Sequence, residues 1–359
     1  MHWLPAILIL PYIILLLKYY ISLLQPETFK ASVEPVTFVS VVVACHNEQR
    51  KLPHLLTSIA RQNYPKYLFE VVIVNDGSTD KTFEIAAGFT TISNILALNN
   101  EGEGKKLALR TGIKSAKGNL IITTDADCNM GENWIRTIAA FYEKESPDMI
   151  ICPVKLDSLP GCFGRLQELE FLSLQGITAG CALSGDATMC NSANLAFTRE
   201  VYLNHSDNLY DEINSGDDIF LLHSLKDEKQ SVIKWLESLD AMVTTASSAT
   251  FSSFLKQRSR WISKGKAYKD RETINLGIVT FIATCLQISY LVAGLINTTL
   301  IWVFLFVIIL KSIPDFLILL NTSGRYSKRK LMWWFLPGQL IYPFYVLSVV
   351  FYSLIFRNK

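Results

Sequence analysis

Three runs of β-branched and apolar residues constrain the fold of this chain most strongly. They cover residues 36–44, 69–74 and 119–124, and each run ends in polar residues. Strands with one solvated face alternate apolar and polar residues, whereas uninterrupted apolar runs are typical of parallel strands that helices cover on both faces. The sequence therefore predicts an α/β domain with a mainly parallel sheet.

Polar side chains follow each of these runs. Asn47 and Glu48 come after the first run, Asp76 after the second, and Asp125 and Asp127 after the third. Ligands of open α/β sheets bind at the carboxyl ends of the strands, so we expect these side chains to converge on one crevice. Taken alone, Asp76 fits a turn that leads into a helix equally well.

Asp125 and Asp127 form a DxD pair, with only the small Ala126 between them. Two carboxylates at this spacing can share Mg²⁺ or Mn²⁺, and the metal can bridge the two phosphates of a nucleotide diphosphate. Isolated DxD pairs also occur by chance on protein surfaces. The position after a predicted buried strand favours a metal site.

A glycine-rich segment at 101–106 opens a predicted helix that continues to residue 115. Its backbone N–H groups and the Lys105 side chain could approach the phosphates or the sugar of a donor. An ordinary loop ahead of an amphipathic helix explains the same residues.

Asp217 and Asp218 follow Gly216 and precede the apolar residues 219–222, which predicts that a helix begins here. A carboxylate at this position can stabilise the helix N-terminus or act as a general base. Both interpretations stay open at this point.

Gln257, Arg260 and Trp261 lie in a basic and aromatic stretch, 251–268, whose apolar residues have helical spacing. Such a helix could lie at a membrane interface with its basic face toward phosphates. The alternative is a solvated belt beside the membrane that Trp261 anchors.

The chain is 50% hydrophobic, and its mean hydropathy of +0.26 is high for a soluble protein. The apolar residues concentrate at 3–24 and from residue 274 onward, and about 20 of them suffice to cross a bilayer core. We expect four spans, at 3–24, 274–295, 299–320 and 331–356. A cleaved secretory signal is the alternative for the first, but no basic n-region or small-residue cleavage site supports it.

These patterns divide the chain into four predicted parts. They are an N-terminal anchor at 1–24, a catalytic domain at 36–250, an interfacial helix at 251–271 and a membrane region at 272–356. Segment 321–330 carries Arg325, Lys328, Arg329 and Lys330, and the positive-inside rule places it in the cytoplasm. The catalytic domain of this integral protein of the cell (inner) membrane is then expected to be cytoplasmic, although Arg357 and Lys359 fall on the opposite side.

Two charged residues, Lys311 and Asp315, lie inside the third predicted span. They could pair with each other or mark a path for an acceptor.

Seven cysteines without a CxxC pair suit reduced thiols and indicate no zinc site. The net charge of +2 gives no reason to expect a nucleic-acid partner.

Together and in this order, the clusters resemble those of the family 2 glycosyltransferases. These are inverting enzymes of the GT-A fold, and their membrane-embedded branch carries the signature D, DxD, [ED]D, QxxRW. That branch includes cellulose, chitin, hyaluronan and poly-N-acetylglucosamine synthases and ceramide glucosyltransferases. The resemblance covers residues 36–261.

The resemblance implies a nucleoside-binding group of Asn47, Glu48 and Asp76. Asp125 would then contact the nucleotide-sugar, and Asp127 the metal.

The same resemblance makes Asp218 the general base, with Asp217 beside it. Gln257, Arg260 and Trp261 would close over the diphosphate and border the acceptor site. Segment 191–199, with Asn194, is similar to the acceptor-side segment of the family, although Ser192 stands where relatives often have Gly.

The expected function is therefore transfer of a sugar from a UDP- or GDP-linked donor to a lipid or lipid-held glycan at the cytoplasmic face. A small processive polysaccharide synthase, with or without a partner subunit, is one alternative, and a polyprenyl-phosphate sugar synthase is another. A non-catalytic nucleotide-binding subunit of a second synthase is the alternative from a different class.

Overall fold

A computed structural model of the chain describes residues 4–206, 216–228 and 230–355. The chain forms two compact units. We call the first the sheet unit, which comprises Glu27–Lys155 and Met189–Ala246. We call the second the helical unit, which comprises Met1–Pro26, Leu156–Thr188 and Ser247–Lys359.

Ten strands occur in the described chain. They are β1 (Val39–Cys45), β2 (Phe69–Asn75), β3 (Ile95–Asn99), β4 (Leu120–Thr123), β5 (Asn129–Met130), β6 (Met149–Ile151), β7 (Val154–Asp157), β8 (Leu195–Thr198), β9 (Ile233–Trp235) and β10 (Val243–Ala246).

Twelve α-helices occur in the same residues. Those of the sheet unit are α2 (Leu52–Ala60), α3 (Thr82–Ala87), α4 (Lys105–Ser115), α5 (Trp134–Glu145), α7 (Arg199–His205) and α8 (Asp217–Asp227). Those of the helical unit are α1 (Leu10–Leu23), α6 (Cys162–Leu183), α9 (Phe251–Ser263), α10 (Arg271–Ile296), α11 (Thr299–Arg325) and α12 (Phe335–Ile355).

The main sheet has seven strands in the order β3-β2-β1-β4-β8-β6-β9. Strands β1 to β4 run parallel. Cys45 lies beside Asn75 and Asn75 beside Asn99, so the carboxyl ends of β1, β2 and β3 are level, whereas β4 ends at Thr123, beside Val42. Strand β8 runs antiparallel to β4, with Leu195 beside Thr123. The residues just before β8 therefore lie at the edge where β1, β2 and β4 end.

The three predicted strands are confirmed, although the first begins at Val39 rather than at residue 36. Every residue of β2 and β4 is buried, as expected for strands covered on both faces. The core on one side of the sheet packs Val41, Ile73, Leu55 and Trp134 together. The hydrophobic effect, acting on both faces, thus fixes the position of the strand ends.

Close backbone packing occurs at Gly118, just before β4. Its N–H donates to Ser40 Oγ (2.8 Å), and a Cβ at this position would lie 2.8 Å from Ser40 N and 2.9 Å from Phe38 O. Backbone atoms in a sheet cannot move aside cheaply, so only glycine fits here.

The helical unit contains three helices that are long and apolar enough to cross a membrane, within the described residues. They span Arg271–Ile296, Thr299–Arg325 and Arg329–Ile355. The N-terminal apolar helix, Ile7–Leu23, is shorter, so its crossing remains a prediction. The second of the three long helices, Thr299–Arg325, continues through the first half of the break that we expected at 321–330.

Helix α6 differs from its expected place. The sequence interpretation put residues 36–250 into one continuous domain, whereas Leu156–Thr188 groups with the long apolar helices. Two glycines one helical turn apart explain this, because a Cβ on Gly176 would meet Ile318 (2.7 Å) of α11 and one on Gly180 would meet Tyr19 (2.8 Å) of α1. Small residues at this spacing let helices approach closely in apolar surroundings.

A polar cluster lies buried among α1, α11 and α12. Lys311 Nζ donates to Asp315 Oδ2 (2.7 Å), Tyr12 Oη donates to Asp315 Oδ1 (2.6 Å), and Gln339 Nε2 donates to Asp315 Oδ2 (2.9 Å). The two charged residues thus pair with each other, one of the two expectations from the sequence. Because these side chains bond to one another, the charged groups of Lys311 and Asp315 are stable in an apolar interior.

We expect Gly118→Ala to destabilise the chain by about 1–3 kcal/mol, the usual cost of overpacking. The measurement is the thermal unfolding midpoint of the full chain in detergent, which should fall by a few degrees. Gly131→Ala is the matched control, because a Cβ there meets nothing within 4 Å. Equal midpoints for the two variants would contradict the packing argument.

We expect Asp315→Leu to destabilise the helical unit by roughly 3–5 kcal/mol, because it leaves the Lys311 ammonium buried without its counter-charge. Adding Lys311→Met to the same chain should recover most of this loss. Thermal unfolding of both variants in the same detergent checks the prediction. If the double variant is less stable than Asp315→Leu alone, the unpaired Lys311 ammonium does not cause the loss of stability.

Candidate active site

The loop after β1 is tied to the loop after β2. Asn47 adopts a left-handed backbone conformation (φ 57°), which Asn tolerates better than most residues. Its Oδ1 accepts from the N–H of Thr79 (2.9 Å), and its own N–H donates to Ser78 Oγ (2.9 Å). Asn47 therefore shapes the crevice edge through bonds within the protein.

The Asp76 carboxylate fixes the start of α4. Its Oδ1 accepts from Asn100 Nδ2 (2.8 Å) and from the N–H of Gly104 (2.8 Å). Gly104 has φ 99°, a conformation that favours glycine, and it directly precedes α4. These bonds place Lys105, the first residue of α4, at the crevice.

Lys105 connects the DxD pair with the acids of α8. Its Nζ donates to Asp125 Oδ1 (2.5 Å) and to Ser192 Oγ (3.1 Å), and the N–H of Ser192 donates to Asp218 Oδ2 (3.1 Å). Burial alone would lower the pKa of Lys105, but the carboxylates of Asp125 and Asp218 raise it. The contacts bring together three predicted site residues from three separate segments.

A second lysine contacts the other DxD carboxylate. Lys51 Nζ lies 3.6 Å from Glu48 Oε2 and 3.6 Å from Asp127 Oδ2. Burial raises the pKa of Glu48, while Lys51 acts in the opposite direction. Asp127 Oδ1 also accepts from Thr245 Oγ1 (3.4 Å).

Asp217 and Asp218 begin helix α8, as the sequence predicts. Gly216 before them has φ 104°, which favours glycine. Asp217 is buried, and burial raises its pKa, with the charge of Asp218 adding to the effect and Lys106 opposing it. Asp218 bonds to the N–H groups of Ser192 and Ile219.

Asp125 and Asp127 have the donor chemistry that Mg²⁺ and Mn²⁺ require, because both offer hard carboxylate oxygens and both are partly exposed. Within the described residues, no group of three or more His, Cys, Asp or Glu side chains could hold a metal. Mg²⁺ is commonly held by one or two carboxylates together with substrate phosphates. The pair therefore fits a metal that arrives with a nucleotide diphosphate.

Asn194, predicted on the acceptor side, is fully buried. Its Oδ1 accepts from Trp134 Nε1 (2.9 Å), and its Nδ2 donates to the carbonyls of Pro153 (2.7 Å) and Ala241 (2.7 Å). The side chain thus has no exposed surface for an acceptor in this conformation. It holds the start of β8 in place.

The three remaining predicted residues belong to α9 in the helical unit. Gln257 Oε1 accepts from Arg258 Nη1 (2.8 Å) and from Ser248 Oγ (3.4 Å). Trp261 lies against the Arg258 guanidinium, and Arg260 is exposed.

Sequence reasoning missed Lys51 and Asn100 as members of the crevice, and it placed Ser192 in the acceptor-side segment without a contact to Lys105 or Asp218. Lys51 stands three residues after Glu48 at the start of a helical pattern, which is a usable signal. Asn100 has no such signal, because its contact with Asp76 spans 24 residues of chain. The contact of Ser192 with Lys105 spans 87 residues, which no local pattern predicts.

Comparison with known proteins supports a family assignment for part of the chain. Residues 40–203, somewhat less than half of it, match the family described as Glycosyl transferase family 2. The poly(ribitol-phosphate) beta-N-acetylglucosaminyltransferase TarS of Staphylococcus aureus is 32% identical over 120 residues, which cover 32% of this chain and 21% of TarS. The undecaprenyl-phosphate 4-deoxy-4-formamido-L-arabinose transferase of Pseudomonas savastanoi is 33% identical over 114 residues, which cover 31% of this chain and 34% of that protein. The chain thus aligns with well under two thirds of these relatives.

Among solved structures, the chain is similar to the mannosyltransferase PcManGT from Pyrobaculum calidifontis, determined with GDP-Man and Mn²⁺. The TM-score is 0.59 at 16% identity, and the match covers 100% of both chains. This likeness confirms the predicted fold class, a GT-A-like α/β fold with a mostly parallel sheet.

We expect Asp217→Asn to raise the thermal unfolding midpoint at pH 7. The pKa of Asp217 is higher in the folded chain than its ordinary value of 3.8. As the pH rises above 3.8, the folded state therefore keeps its proton when the unfolded state has lost it, and the free energy of unfolding falls. The gain from Asn should therefore shrink as the pH approaches 3.8. Asp227→Asn, exposed at the other end of α8, is the control, and a lower midpoint of Asp217→Asn at pH 7 would contradict the argument.

Proposed function

We propose that this chain, whose residues 40–203 match the family described as Glycosyl transferase family 2, is a membrane-bound inverting glycosyltransferase. Its donor is a UDP- or GDP-linked sugar, and its acceptor is a lipid or a lipid-held glycan. One observation carries the proposal: Asp125, Lys105, Ser192 and Asp218 form a continuous series of contacts at the carboxyl edge of the sheet. Lys105 on the donor side and Asp218, the proposed base, are thereby linked through Ser192.

The donor side uses the residues that follow β1, β2 and β4. In this proposal Asp76, which accepts a hydrogen bond from Asn100, binds the nucleoside together with Asn47 and Glu48. Lys105 is suited to the diphosphate, because its ammonium already lies among carboxylates and can pair with phosphate oxygens instead. Asp125 and Asp127 would hold Mg²⁺ or Mn²⁺, which when bound neutralises the charge that develops on the leaving diphosphate.

Asp218 serves as the general base. The acceptor hydroxyl oxygen attacks the anomeric carbon, the bond from that carbon to the diphosphate breaks, and the hydroxyl proton passes to Asp218. Attack opposite to the leaving group inverts the configuration. The N–H of Ser192 holds one oxygen of Asp218, which fixes the direction of the carboxylate.

The acceptor is expected at a membrane because three helices of the chain can cross one. Basic residues of the segment between α11 and α12 favour a cytoplasmic position for that segment. The end of α9 that leads into α10 is then on the same side, since two crossings separate these two positions. This supports catalysis at the cytoplasmic face of the cell membrane, with Gln257, Arg260 and Trp261 beside the acceptor.

A polyprenyl phosphate is the second candidate acceptor. The relative from Pseudomonas savastanoi is named for transfer to undecaprenyl phosphate, and it aligns with 31% of this chain. A phosphate acceptor is already ionised and needs no strong base. Transfer to it should therefore tolerate the loss of Asp218.

The test is incorporation of label from a panel of radiolabelled UDP- and GDP-sugars into membranes that contain the full chain. We expect Asp218→Asn to reduce transfer by about 10²–10⁴-fold, the usual contribution of a general base, while nucleotide binding is retained. Asp127→Ala should lower both transfer and metal-dependent nucleotide binding. Asp240→Asn, an exposed carboxylate of the same unit, is the matched control.

The outcomes separate the alternatives. Full activity of both Asp127→Ala and Asp218→Asn would refute the assigned roles. If Asp218→Asn stays active and Asp127→Ala does not, the reaction is transfer to a polyprenyl phosphate. Nucleotide binding without transfer from any donor indicates a non-catalytic subunit of another synthase.

A further inference from the structure

Arg258 lies inside the Gln257-to-Trp261 motif but is not one of its three recognised positions. Only 6% of its side chain is exposed, although it belongs to a helix with a largely polar surface. Its guanidinium forms a two-bond pair with Glu170 of α6, from Nε to Oε1 (2.9 Å) and from Nη2 to Oε2 (2.5 Å). This geometry is the strongest form of an arginine–carboxylate contact.

The rest of the guanidinium contacts two motif residues. Nη1 donates to Gln257 Oε1 (2.8 Å), and Cζ lies 4.1 Å from the centre of the Trp261 ring. The edge of the planar group thus holds the amide of Gln257, and its face holds the ring of Trp261. A lysine could not do both, because its ammonium is a point charge without a planar fork or face.

Glu170 is fixed by a third element. Tyr345 of α12 donates its hydroxyl to Glu170 Oε1 (3.1 Å). The Tyr345 ring also stacks on Phe254 of α9, with 5.3 Å between ring centres. The ion pair is therefore the point where α6, α9 and α12 meet.

Stability alone does not account for this arrangement. Buried ion pairs are often replaceable by apolar residues without loss of stability, because the desolvation of two charges offsets their attraction. Apolar residues at positions 170 and 258 would pack the helices together. They would remove the shorter of the two hydrogen bonds to Gln257 Oε1, which leaves only the 3.4 Å bond from Ser248 Oγ, and they would remove the cation that lies against Trp261. What the pair alone supplies is the orientation of these two side chains.

We propose that Arg258 and Glu170 are positioning residues that hold Gln257 and Trp261 in the conformation used for sugar transfer. The inference rests on the proposed function for the role of Gln257 and Trp261. The orientation of Gln257 and Trp261 depends only on contacts within the helical unit, so it can be measured without an activity assay.

The first experiment observes the Trp261 ring directly. The full chain in detergent is labelled with 5-fluorotryptophan, and the fluorine resonance of Trp261, one of seven tryptophans, is assigned with Trp261→Phe. Arg258→Lys and Glu170→Gln should each shift or broaden this resonance while the other resonances stay in place. Arg165→Lys is the matched control, because Arg165 pairs with Glu168 on the same helix α6 at 3.0 Å and is half exposed.

An unchanged Trp261 resonance in both variants would overturn the inference. If Glu170→Gln fails to fold, Arg258→Lys decides the question, because it keeps the buried positive charge and loses only the planar group.

The second experiment tests whether Arg258 acts through its two neighbours. With the donor that supports transfer, Arg258→Lys should lower kcat by about 10- to 100-fold, the effect of a small misplacement of reacting groups, with little change in the donor KM. In a chain that already carries Gln257→Ala and Trp261→Phe, the same substitution should change kcat by less than about 2-fold, because residues that act as one unit are not additive.

Equal losses in the two backgrounds would show that Arg258 acts independently of the motif, and the inference fails. If the wild-type chain transfers sugar from none of the donors, the proposed function fails instead, and the fluorine result still decides whether the pair holds Trp261.

Discussion

The backbone hydrogen bonds of β1 to β2 and β4 are the constraint on which the rest of the sheet unit depends. Parallel pairing on both sides of β1 directs the carboxyl ends of the strands to the same edge of the sheet. The antiparallel pairing of β8 with β4 then brings the start of β8 to the same edge. Loops that are distant in sequence meet there, so the acids after β2 and β4 lie near Ser192 and the acids of α8.

Charge balance shapes the crevice once the backbone has placed these loops. Several carboxylates converge, and Lys105 and Lys51 lie between them. The pKa of Lys105 is raised by its acidic neighbours despite burial, and the pKa of Asp217 is raised by burial. A crevice that holds charges of both signs can exchange its internal ion pairs for those with a charged ligand.

The helical unit follows a different rule, because polar groups that are buried away from water need partners within the protein. Its polar side chains therefore bond to one another, as Lys311 does with Asp315 and Arg258 with Glu170. Glycines of α6 allow the close approach that packs these helices together. The contacts that satisfy the buried guanidinium of Arg258 also orient Gln257 and Trp261.

The sequence by itself determined the parallel strands β1, β2 and β4, the start of α8 and the three long apolar helices, because each depends on a local pattern of apolar residues or on a helix-start signal. Only the tertiary structure decided that Asn194 is a buried support, that α6 packs with the long apolar helices, and that Ser192 joins Lys105 to Asp218. The physical reason is the separation in sequence. A hydrophobic pattern involves residues that are close along the chain, whereas these hydrogen bonds join distant segments that strand order and helix packing bring together.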